Sequence, residues 1–207
     1  NVGNLGIDDA SNAIISAAKG FDIPINKIGE LNDAMNELGN TMPITVAGLS
    51  DALKRSASVM SFTGNTYQET LALISAANGV VQNPEKIGNA LKTISLRVAG
   101  SKDAETGEDY AEIVPKLEKD FDRLGIKIQD TEGNLKSTYE ILVEMGKAFK
   151  DSGMTDLEKT NMLETISGKY NVNVAAAIVD NYADAEKALN SALNSAGSAQ
   201  KENEKYL

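Results

Sequence analysis

The chain has 207 residues, 30 acidic against 20 basic, with a formal charge of −10 and a hydrophobic fraction of 42%. That balance fits a globular protein able to bury a sizeable core, and it argues against sequence-specific nucleic-acid binding or an anionic membrane surface. Histidine, cysteine and tryptophan are absent, so disulfides, zinc fingers and Ser-His-Asp triads are excluded. No uncharged run is apolar enough to span a bilayer, since the stretch from Thr70 to Pro84 is interrupted by Asn78, Gln82 and Asn83. With no signal-peptide pattern after Asn1 and a polar close, the text reads as a piece of a longer protein.

Helical periodicity dominates. Asp8 or Asp9 can cap a first helix carrying Ala10, Ile14, Ala17 and Phe21. After Pro24 a second stripe, Ile28, Leu31, Met35 and Leu38, is expected to close at Gly39 in a left-handed cap. Thr45 caps a third helix with Val46, Leu49, Leu53, Ala57 and Met60. Thr66 and Glu69 form a capping box before a fourth, apolar almost all round from Leu71 to Val81 and therefore central. Asn83 followed by Pro84 opens a fifth, with Ile87, Leu91, Ile94 and Val98 on one side.

Residues 101–109 are polar and aperiodic and read as an exposed loop at a subdomain boundary. Tyr110, Ile113, Leu117, Phe121 and Leu124 resume the helical pattern, with Pro115 marking its start or a kink. Ile126 and Ile128, then Asp130 to Leu135, alternate as a short β-hairpin would. Capping boxes at Ser137/Glu140 and Thr155/Glu158 open two more helices, and another follows Asn171. The expectation is all-α, about eight or nine helices with one hairpin near 126–135, divided into a helical subdomain 1–100, a helix-hairpin-helix subdomain 101–181 and a C-terminal helix 182–207. In that last helix Tyr182, Ala185, Leu189, Ala192 and Ala196 recur three and four residues apart. Such heptad spacing serves either as an oligomer seam leading into a coiled coil or as a face that docks onto the body.

Little of this supports chemistry. Ser16/Lys19 and Ser198/Lys201 have Ser-x-x-Lys spacing without the companion motifs of serine acylases. Asp130, Glu132 and Asn134 sit at calcium-loop offsets, but Leu135 and Ile141 occupy the positions that need glycine and a bidentate acid. Gly146-Lys147 and Gly168-Lys169 lack the rest of a phosphate loop. No catalytic residue, metal ligand or cofactor is expected.

Specific text is nevertheless recognisable. Gly64 to Thr66, Glu69 to Asn78 and Gln82 to Arg97, followed by Leu124 to Ile126, the Asp130/Gly133 turn, Ser167 to Lys169 and the apolar run Asn173 to Val179, resemble the core region of phage tail tape measure proteins. This chain has Val98, Ala99 and Tyr170 where relatives often carry basic residues. The resemblance implies a structural virion protein that sets tail length, scaffolds tube assembly and is ejected before DNA. It further implies synthesis in the bacterial host cytoplasm and residence in the tail tube lumen as a homo-oligomer. Tube protein, tip or baseplate proteins and tail assembly chaperones are the implied partners, with no catalytic residue to carry over. Two readings from other classes are an accessory domain of a cell-wall hydrolase working through carboxylates and a secreted helical adhesin or effector module.

Overall fold

A computed structural model describes residues 7–204, and the side chains of these except residues 7–11 and 13. The Asp8 or Asp9 cap and Ala10 fall outside the described side chains. The described residues form eleven α-helices and no strand. In order these are α1 (Ile7–Gly20), α2 (Ile28–Thr41), α3 (Val46–Phe62), α4 (Tyr67–Val81), α5 (Pro84–Val98), α6 (Val114–Asp122), α7 (Thr138–Asp151), α8 (Asp156–Ser167), α9 (Val172–Asp180), α10 (Tyr182–Leu193) and α11 (Ser198–Glu204).

Helix starts follow from local chemistry. Thr66, Ser137 and Thr155 each accept the N3 backbone N–H while the N3 glutamate accepts theirs, so three capping boxes are complete. Thr45 accepts from the Gly48 N–H, and Asn83 accepts from the Lys86 N–H with Pro84 in the first turn. Pro115 likewise stands in the first turn of α6, so that helix begins at the proline and is not kinked by it.

The hairpin is corrected. Only an isolated bridge between Gln129 and Leu135 remains, because Asp130 folds the segment on itself: its Oδ1 accepts the Glu132 and Asn134 N–H groups at 2.8 and 2.9 Å. With that turn in the middle and the Ser137 cap just beyond, no length is left for paired strands. Gly39 is a second correction. α2 runs past it to Thr41, and Gly39 serves close packing, since a Cβ there would meet Val46 Cγ2 at 3.1 Å. The described residues hold eleven helices and not eight or nine, and the C-terminal helix expected over 182–207 is itself broken. Asn181 separates α9 from α10 at the expected boundary, and the new break lies between Leu193 and Ser198, where Gly197 takes φ +78°.

α4 occupies the middle, as its uniform apolarity predicts, with Thr70 to Asn78 buried without interruption. It touches α2, α3, α5, α7, α9 and α10. α3 and α5 are the most intimate pair: a Cβ on Gly88 would lie 2.4 Å from the Ala52 carbonyl oxygen, so only glycine permits this approach. One apolar core runs from Ala17 through Phe121 to Ala192. Buried polar groups stitch it. Asn65 Oδ1 accepts the Tyr139 N–H at 3.1 Å while its amide donates to the Met60 carbonyl, tying the end of α3 to the start of α7.

Candidate functional site

The residues singled out for self-association lie on α10 and just past it. Ala185 and Ala192 are buried, and Tyr182 and Leu189 are half-buried against the core. α10 packs on α4, α2 and α7, so this face is occupied within the chain. Ala196 is exposed and lies beyond the end of α10. Small side chains allow the fit: Gly146 of α7 faces Tyr182 and the Val179 carbonyl at distances of 2.7 and 2.5 Å from the place a Cβ would take.

From Leu193 the chain turns back and α11 lies on α2 through polar contacts. Asp33 accepts the Gly197 and Ala199 N–H groups at 2.8 and 3.0 Å, one per carboxylate oxygen. The Ser198 hydroxyl donates to Glu37 at 2.8 Å and accepts from Asn36 at 3.1 Å. A carboxylate bridging two free N–H groups at a helix start is a strong, directional contact, and it uses no apolar burial. Ser198 is thereby committed to Glu37 and not to Lys201, which closes the Ser-x-x-Lys reading at that site.

A groove of about 620 Å³ opens between α5, α6 and α8. At its edge Arg97 donates Nε and Nη2 to the Thr165 carbonyl at 3.1 and 2.9 Å, and its guanidinium lies 5.1 Å from the centre of the Tyr110 ring. This satisfies a carbonyl of the last turn of α8 and stacks a cation on an aromatic face. Burial, with Glu108 accepting the phenol proton, pushes Tyr110 up to about 12. Its sequence signal is a lone basic residue near the end of the apolar stripe of α5, which does not by itself mark a clamp.

The loop over residues 101–109 is exposed at most positions, as expected, but it is pinned by a buried carboxylate that sequence reasoning missed. Asp103 is 3% exposed. Its Oδ1 accepts the Glu105 N–H at 2.8 Å and meets Lys92 Nζ at 3.3 Å, and Lys92 also reaches Glu105 at 2.7 Å. Burial works to raise the Asp103 pKa, but these hydrogen bonds and the ammonium outweigh it and hold the carboxyl below its ordinary value.

The remaining motifs do not assemble into chemistry. Asp130 spends its oxygens on its own turn, and no group of three acidic residues among the described residues could hold a metal ion. Gly146 is inside α7, and Gly168 caps the C-terminus of α8, where carbonyls and not N–H groups project. No helix among the described residues is long and apolar enough to cross a membrane.

Among the described residues the core is all-helical and no reactive cluster forms, and the chain's likeness to known proteins is to structural ones. The family described as phage-related minor tail protein matches residues 1–168. The chain belongs to that family. Among curated relatives, the probable tape measure protein of Escherichia phage P2 is 24% identical over 159 residues, covering 77% of this chain. The chain corresponds to 18% of that relative's length, less than a fifth. No solved structure matches. A minor tail protein has a structural role in the phage tail, and the helical text that resembled tape measure proteins lies mostly inside the matched region.

Proposed function

We propose that this chain is a folded, non-catalytic domain of a tail tape measure protein. In this reading the protein lies in the tail tube lumen, sets tail length, scaffolds tube assembly and leaves before DNA. It is made in the host cytoplasm, and it works with further copies of itself, tube protein, tip or baseplate proteins and assembly chaperones. The observation that carries the reading is the family match over residues 1–168.

Within such a protein the domain is not the measuring element. Drawn out as one helix, 207 residues would reach roughly 310 Å at about 1.5 Å each. A compact fold of this size, with a radius of gyration of about 17 Å, spans only roughly 40 to 45 Å. Length is therefore set by other parts of the protein. In-frame removal of whole helical turns within residues 45–100 is expected to abolish tail assembly. Normally assembled tails shortened in proportion to the deletion would refute the domain reading.

The homo-oligomer is proposed to start at the α10 face. Because Ala185 and Ala192 already pack on the body, the face can join subunits only if α10 leaves α4, a burial that this chain alone does not outweigh. The chain should scatter light as a monomer, and a chain extended past Leu207 should associate. A longer chain that stays monomeric at high concentration would remove the seam from the proposal.

A further inference from the structure

α9 and α10 meet at a single residue. Asn181 takes φ −113° and ψ 35°, between Asp180 at the end of α9 and Tyr182 at the start of α10. Its side-chain amide donates to the Ala177 carbonyl at 2.8 Å and so closes the last turn of α9. The Ala185 N–H already bonds the Asn181 carbonyl, which starts α10 without a spacer. Helical torsions at Asn181 alone would therefore join the two into one helix from Val172 to Leu193, roughly 33 Å long at about 1.5 Å per residue.

On either side of that residue the attachments differ. α9 packs mainly on α4, α7 and α8, whereas α10 lies on α2, α4 and α7. The residues that α10 buries completely are all alanine, Ala185, Ala188 and Ala192, with Leu189 half-buried beside them. Alanines add little apolar area apiece, and they withdraw without a large side chain having to leave a pocket. Beyond them α11 is fixed by the Asp33 and Glu37 contacts, which water can replace. α10 and α11 thus form one unit, held by small contacts and hinged at one end.

We propose that α10 and α11 exchange between two copies of this chain, each unit seating on α2, α4 and α7 of the other. The exchange rests on the self-association proposed above and specifies how the α10 face takes part in it. With Asn181 straight, α10 points away from the body and leaves an alanine face and an empty groove of matching shape on one molecule. A second copy fills both at once. It restores every contact that opening broke, the pair of Lys147 with Glu186 included, so only the hinge and the association entropy separate the two forms. Any other occupant would have to imitate α10.

The test refolds the 207-residue chain from urea at low and high protein concentration and sizes the products by chromatography with light scattering. Low concentration should return monomer, and high concentration should add a dimer that survives dilution. Asn181→Ala favours the straight helix and should raise the ratio of dimer to monomer about tenfold, roughly threefold for each of two hinges, whereas Asn181→Gly should lower it. Because the chain has no cysteine, Asn40→Cys with Glu202→Cys places one thiol on α2 and one on α11, at side chains 3.5 Å apart. On a denaturing gel, a short bismaleimide should link positions 40 and 202 within one chain in the monomer and between chains in the dimer. A dimer linked only within its chains, or no dimer at high concentration, would overturn the exchange. So would an Asn181→Ala chain that circular dichroism shows folded and that dimerises no more than Asn181→Gly. A chain extended past Leu207 that associates with links only inside each chain would overturn the exchange and leave the self-association itself standing.

Discussion

α4 and α11 are both helices of one small molecule, yet they are held in opposite ways. α4 buries nine consecutive residues, Thr70 to Asn78, among six other helices. α11 buries only Ser198 and is fixed by Asp33 and Glu37 of α2. Apolar burial scales with area and is lost only by unfolding the neighbourhood, whereas a few directional hydrogen bonds can be broken locally with water taking their place. Two levels of stability therefore coexist, a bundle that opens as a whole and a segment that can open by itself.

The strongest way to break that contrast is Leu71→Ala in α4. Removing a fully buried side chain from the centre should cost about 2–5 kcal/mol, read as an earlier cooperative transition in urea. A loss of only a few tenths would mean that α4 is not the keystone.

Asp103 tests an intermediate case, a polar anchor inside the bundle's surface. A carboxyl whose folded pKa is depressed contributes stability that is present above the unfolded pKa and lost as pH falls through the folded value. The protein should accordingly weaken below about pH 4. Asp103→Asn should cost about 1–2 kcal/mol at neutral pH and flatten that acid limb, whereas a curve of unchanged shape would show Asp103 to be indifferent.

A cap lies lower on the scale. Thr66→Ala removes the oxygen that accepts the Glu69 N–H and should cost about 1 kcal/mol, measured by thermal unfolding. The smallest global effect is expected from Asp33→Ala. It should change overall stability by only a few tenths of a kcal/mol while amide exchange at Gly197 and Ala199 rises sharply. Global destabilisation comparable to that of Leu71→Ala would erase the distinction between the two helices.

What was legible in the sequence follows the same division between local and distant causes. Thr66/Glu69, Ser137/Glu140 and Thr155/Glu158 announced helix starts because both members of each pair act within four residues. The central place of α4 was readable from its composition. Gly39 misled because its reason is Val46, in the next helix, and the tail misled because its three-and-four spacing continues across a break. Asp130 to Asn134 resembles the tip of a hairpin because alternation is shared by strands and by turns that close on one side chain. Arg97 has no local signature, and the local turn that Asp103 makes with the Glu105 N–H does not announce its burial or its ion pair. Those features depend on what lies across the fold, the Thr165 carbonyl and Tyr110 for Arg97 and Lys92 of α5 for Asp103.

The polar attachment of α11 also has a mechanical side. Tension reaching the domain from its C-terminal side meets the Asp33 carboxylate before any part of the apolar core, so α11 should peel away first, at low force. In a single-molecule pull this gives a small early step, about 3.5 Å for each residue released, ahead of the main rupture. Asp33→Ala should erase the early step and leave the main rupture in place, so that the domain keeps its core folded while yielding a short length of slack.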